Sequence, residues 1–131
     1  MIRSRRRDRG DGQALVEFAL ISVIFFLLLF GIIEGARAIY AYNTVANAAR
    51  VGARTAIVNQ DLTAVEAAVI TEAVALDLTA DNVTFTPCSV KPCNVTVTVD
   101  YDFESVTPLI DSIFDPTISS TAVMSLEQVN P

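Results

Sequence analysis

The chain has 131 residues and contains no histidine and no tryptophan. Without histidine, the side chain that most often carries protons near neutral pH and most often ligates metals is missing. The only cysteines, Cys88 and Cys93, are too few for a structural zinc site in the absence of histidine. Neither a glycine-rich dinucleotide turn nor a phosphate loop nor an HExxH helix is present. These absences point away from an enzyme, and no cofactor, metal or small-molecule substrate is expected. The best carboxylates for catalysis, Asp100, Asp102 and Glu104, alternate with Val99, Tyr101 and Phe103, as a solvated strand face does.

Positive charge is scarce beyond the N-terminus. The net charge is −6, and residues 60–131 carry eleven acids against Lys91 alone. By contrast Arg3, Arg5, Arg6, Arg7 and Arg9 crowd the first twelve residues, offset by Asp8 and Asp11. A basic tract this short, followed by an oily one, sets membrane topology rather than binding nucleic acid. The oily run, Ala14 to Ile33, spans 20 residues, or about 30 Å as a helix, the thickness of a hydrocarbon core. Within it Ile24–Phe30 is apolar on every side, whereas a core helix of a globular protein has an apolar stripe. A lipid bilayer is therefore an expected partner. Arg37 is the one cation close behind the run, so the N-terminus is expected in the cytoplasm and the acidic part outside. A cleaved secretory signal is the rival reading, with Gly31 or Gly35-Ala36 imitating its cut site.

Glu17 is the strongly polar residue of the run. A carboxylate in a membrane helix costs roughly 2–4 kcal/mol near the centre and is usually functional. It could sit at headgroup level, favoured by the helix dipole, or it could meet a positive partner such as a free amine. A cut between Gly12 and Gln13 would create that amine and make Glu17 the fifth residue. A basic leader, Gly at the cut, Glu at the fifth mature position and an apolar helix resemble type IV prepilins, although many of those have Phe where this chain has Gln13.

From Glu34 to Val58 the helical signal persists, with eight alanines and no proline. A helix from Ala14 to Val58 would be 45 residues and roughly 68 Å long. Val45, Ala49, Gly52 and Ala56 form a small-residue stripe that admits another backbone closely, either from the chain's own domain or from another subunit. The stretch Asn47-Ala48-Ala49-Arg50-Val51-Gly52-Ala53-Arg54 gives an "AAR-x-GAR" element behind a membrane helix that begins "ALVEFAL". In that order and distance the two motifs resemble the TadE-like family, pseudopilin-type components of the tight-adherence (Flp) pilus system. Ala49, Arg50, Gly52 and Arg54 carry the second motif.

Asn59-Gln60-Asp61 interrupts the pattern, and a second, amphipathic helix is expected to about Leu78, with Glu66, Glu72 and Asp77 on its wetter side. Its cap is either Asp61 or the Thr63–Glu66 capping box. Val83 and Phe85 alternate with Thr84 and Thr86; Val95, Val97, Val99, Tyr101 and Phe103 then share one face of a long strand. These two strands read as a hairpin closed by a Cys88–Cys93 disulfide outside the membrane. One helical turn near Ile113 and Phe114 and a last strand from Ile118 to Glu127 complete the chain.

The expected fold is α+β: a long N-terminal pilin-like helix, a second helix, and a small three-stranded antiparallel sheet with a disulfide hairpin. Residues 1–12 are expected to be a cleaved basic leader, 13–36 the transmembrane helix, and 37–131 an extracytoplasmic domain that starts with the continued helix and packs it on Val95 to Phe103. The resemblance implies a minor pseudopilin or assembly factor, cut after Gly12 by a prepilin peptidase. It would be anchored once in the cytoplasmic membrane, partnered by other pilins and the pilus assembly platform, and would serve surface adhesion. The alternative is an uncleaved, single-span anchored binding domain.

Overall fold

The computed structural model describes residues 9–90, 92–106 and 116–126, with side chains from Gly12 onward. One helix, α1 (Arg9–Val58), takes up 50 of them, about 75 Å at 1.5 Å per residue. It starts before Ala14 because nothing in Arg9–Gln13 forbids helix.

The two halves of α1 are built for different surroundings. From Gly12 to Ile33 every side chain except half-buried Ser22 is exposed, and the Ser22 hydroxyl donates back to the Ala19 carbonyl at 2.8 Å. From Glu34 onward one stripe is buried: Ala41, Val45, Ala48, Ala49, Ala53 and Ala56. Alanine at most of these positions keeps the helix stable and lets neighbours approach its backbone.

Residues 59–61 turn the chain into α2 (Leu62–Glu72), where Asp61 is the cap and accepts from the Thr63 backbone N–H at 3.3 Å. The expected helix to Leu78 stops six residues early. A 3-10 turn, Val74–Leu76, tightens its end, and Asp77 adopts a left-handed backbone (φ 54°) that ends helical propagation. This reversal lets Leu78 tuck into the core, 7% exposed.

A second 3-10 turn, Ala80–Asn82, leads into β1 (Val83–Thr86), followed by β2 (Cys93–Asp102) and β3 (Thr117–Leu126). The sheet is antiparallel with order β1-β2-β3. Val83 pairs with Val99 and Phe85 with Val97, while Val97 also pairs with Ala122 on the other side. Val95, Val97 and Val99 are fully buried against Val45, Ala49, Ala53, Val65 and Val69. The second half of α1 thus packs its one buried stripe against both α2 and the sheet. The sheet's other face carries Thr96, Thr98, Thr121 and Asp102; Thr98 and Thr121 hydroxyls share a hydrogen bond across the strands, and Thr117 donates to Asp102 at 3.0 Å.

The small-residue stripe belongs to this domain's own core. A Cβ on Gly52 would lie 2.6 Å from Val69 Cγ2 and 3.1 Å from Val97 Cγ1, so any side chain there would force these valines to shift. The turn expected near Ile113 and Phe114, and the end of the last strand at Glu127, lie outside the described residues.

Candidate functional site

Of the residues picked out near the N-terminus, Arg3, Arg5, Arg6 and Arg7 lie outside the described residues, and Arg9 is described by its backbone alone, at the start of α1. Gly12 and Gln13 lie within the helix, exposed, and Glu17 is exposed one turn further on. No described residue donates a hydrogen bond to Glu17. The apolar stretch behind it is long and oily enough to cross a membrane, and none of its most hydrophobic window is buried in the protein. Phe18, Phe25, Phe26 and Phe30 project from it, with Phe25 and Phe26 edge to face at 5.7 Å.

At the end of this stretch the domain reaches back. Glu34 is 8% exposed, and among the described residues its carboxylate collects donors from its own helix and from the segment after β2. On its own helix Arg37 Nη1 approaches Oε2 at 2.9 Å. From the segment after β2, the Ser105 hydroxyl and the Val106 backbone N–H donate to Oε1 at 3.1 and 2.8 Å. Arg37 is bound to the same segment: Nη2 donates to the Glu104 carbonyl at 3.3 Å, and the guanidinium lies 5.3 Å from the centre of the Phe103 ring. A buried carboxylate needs such partners, and here they join the exit of the apolar stretch to the segment that follows β2. The sequence reading missed this junction. The signal for it was a lone acid directly behind the apolar run with an arginine three residues on.

The "AAR-x-GAR" motif divides by role. Ala49 and Gly52 are core, whereas Arg50 and Arg54 are exposed and neither makes a hydrogen bond or ion pair with a described residue. Arg50 lines a shallow open groove between Ala46 and Ser120–Met124. One turn before Arg50 on α1, the Asn47 amide donates to Glu72 of α2.

Cys88 and Cys93 are joined in a disulfide with Cα atoms 5.8 Å apart. The Cys88 backbone N–H donates to the Gln60 side chain at 2.9 Å, which ties the hairpin to the turn between the helices. Among the described residues no three His, Cys, Asp or Glu side chains gather as a metal site. Asp100 and Asp102 point to the solvent face of β2.

No curated protein and no solved structure matches the chain. A model of the family described as TadE-like protein matches residues 12–54, which cover the apolar stretch, the Glu34–Arg37 pair and the small-residue face of α1 up to Gly52. The protein therefore carries a TadE-like domain on its N-terminal helix, a domain of pilus components rather than of an enzyme family, and this implies association with a Tad-type pilus.

Proposed function

We propose that the protein is a minor pseudopilin or assembly factor of a Flp-type tight-adherence pilus, held in the cytoplasmic membrane by residues 14–33 with its N-terminus inside. A prepilin peptidase cuts between Gly12 and Gln13. The Glu17 carboxylate then offsets the new amine of Gln13, on its own chain or on a neighbour, and the apolar half of the helix packs beside other pilins in the assembly platform, in the service of surface adhesion.

The observation that carries this reading is the division of α1. Its first half buries nothing in its own domain, its second half is the domain's core, and the TadE-like match covers both. A helix with one end in the fold and the other bare suits lateral packing in lipid. Peptidase access at Gly12 would require opening the first turns of the helix, and glycine there weakens the helix by about 1 kcal/mol relative to alanine. A secretory cut at Gly31 or Gly35 is less suitable, because it would sever or strand the Glu34 junction.

The continuity of α1 through Gly12 favours a second reading, an uncleaved anchored domain. Intact mass of the membrane-extracted protein, with and without the host's prepilin peptidase, separates the two. Loss of residues 1–12 only when the peptidase is present is expected; a full-length chain in both hosts would establish the anchored domain instead. Glu17→Ala should leave insertion intact and impair piliation, and normal piliation in that variant would remove the acid from the mechanism.

A further inference from the structure

Three exposed apolar side chains outside the span stand close to its end. Ile39 and Tyr40 on α1 are 65% and 55% exposed, and Val106, on the segment after β2, is 72% exposed. Val106 is 72 residues further along the chain, yet its backbone N–H is bonded to Glu34 at 2.8 Å, and Glu34 directly follows Ile33. If residues 14–33 fill the hydrocarbon core, Val106 is held within a side chain's length of the hydrocarbon edge. Tyr40 begins about 10 Å beyond Ile33 along the axis. Helical side chains lean toward the N-terminus, so its ring reaches back toward the headgroup layer, which is roughly 5–8 Å deep on each side. Tyrosine favours that layer, where its ring is sheltered and its hydroxyl stays wet.

We propose that Val106 on the Glu34 side of α1, and Ile39 and Tyr40 on its opposite side, make lipid contacts by which the domain rests on the bilayer surface, with the Glu34 carboxylate clamping the Val106 segment down onto the membrane exit. The occupant is the acyl–headgroup boundary of a phospholipid bilayer. The exposed apolar surface of the span runs through Ile32 and Ile33, 62% and 46% exposed, to Ile39 and Tyr40 seven residues on, so these two continue the lipid-facing surface, and Val106 adds to it from the side of Glu34. The site is apolar and the domain is acidic, so zwitterionic lipid suffices and anionic lipid adds nothing. The inference rests on reading residues 14–33 as the span.

The chain has no tryptophan, so single-tryptophan variants report cleanly. Val106→Trp, Val90→Trp in the hairpin connection and Leu27→Trp in the span are placed one at a time in the full chain, in phosphatidylcholine vesicles brominated on the acyl chains near the headgroup. The expected result is quenched, blue-shifted emission from Val106→Trp and Leu27→Trp, and unquenched, water-like emission from Val90→Trp. Adding Glu34→Leu should abolish the quenching of Val106→Trp and spare that of Leu27→Trp. Water-like emission from Val106→Trp alongside quenched Leu27→Trp would overturn the lipid contact and leave the span intact. Unquenched Leu27→Trp would overturn the span itself and the contact with it. Quenching of Val106→Trp that survives Glu34→Leu would overturn the clamp.

Discussion

Glu34 on α1 accepts a hydrogen bond from the backbone N–H of Val106, 72 residues further along the chain, at 2.8 Å. The same oxygen accepts from Ser105, and the other oxygen faces Arg37. Hydrogen bonds to a charged acceptor contribute about 1.5–3 kcal/mol each, and a donor left buried without one is costly. Glu34→Leu removes the acceptor and keeps the volume. Taking about 2 kcal/mol for the local loss, the Val106 amide should exchange with solvent roughly 30-fold faster. Exchange of the core amides of β2 should change far less. Hydrogen exchange of the detergent-solubilised chain measures both, and an unchanged Val106 amide would show that the segment is held by other contacts.

α1 comes close to its own domain at Gly52, where an added Cβ would fall 2.6 Å from Val69 Cγ2 and 3.1 Å from Val97 Cγ1. Both neighbours are β-branched valines with few rotamers to retreat into. Gly52→Val should therefore cost about 1–3 kcal/mol through overpacking, more than the few tenths that valine regains over glycine in helix propensity. Chemical denaturation followed by a probe in the sheet would read this as a lower midpoint. An unchanged midpoint would mean that α1 and α2 separate freely.

Much of this architecture is legible from local patterns. Apolar residues on every side of Ile24–Phe30 mark a segment that buries nothing in its own chain, and strict alternation from Val95 to Phe103 marks a half-buried strand; both are properties of a single element. The partner of the small-residue stripe was not legible, because Val45, Ala49, Gly52 and Ala56 would look the same against another subunit as against Val65 and Val97. The end of α2 was missed because the periodicity of Leu62–Leu76 runs on through a 3-10 turn and stops only at the left-handed Asp77. The Glu34 junction was hidden for a different reason. An acid three residues before an arginine is an ordinary helix-surface pair, and the donors that make it a junction come from Ser105 and Val106, 71 and 72 residues away.

The disulfide closes a short connection in a domain whose core is mostly alanine and valine. Closing so small a loop contributes about 2 kcal/mol in the chain-entropy account. The Cys88 amide also holds Gln60 at the turn between the helices, so the effect of opening the loop should extend to the start of α2. The Cys88→Ser, Cys93→Ser double variant should unfold at a lower denaturant concentration and show faster exchange near Leu62. The wild-type chain under reducing conditions should behave the same way. Equal stability with and without the bond would assign the hairpin's order to the β1–β2 ladder alone.

Arg50 and Arg54 differ from every other cation described in this acidic domain. Arg37 is bound to Glu34 and Glu104, whereas these two are exposed on α1 within the TadE-like match and bond to no described residue. Exposed side chains without partners rarely change stability by more than about 0.5 kcal/mol. Arg50→Ala with Arg54→Ala should therefore leave the denaturation midpoint nearly unchanged, while Arg37→Ala, which strips partners from Glu34 and Phe103, should lower it. Comparing piliation in the same strains separates a folding role from an assembly role. Loss of pili with a normal midpoint would assign Arg50 and Arg54 to contact with a partner subunit. Normal pili with a normal midpoint would leave Ala49 and Gly52 as the working part of the motif, acting through the core.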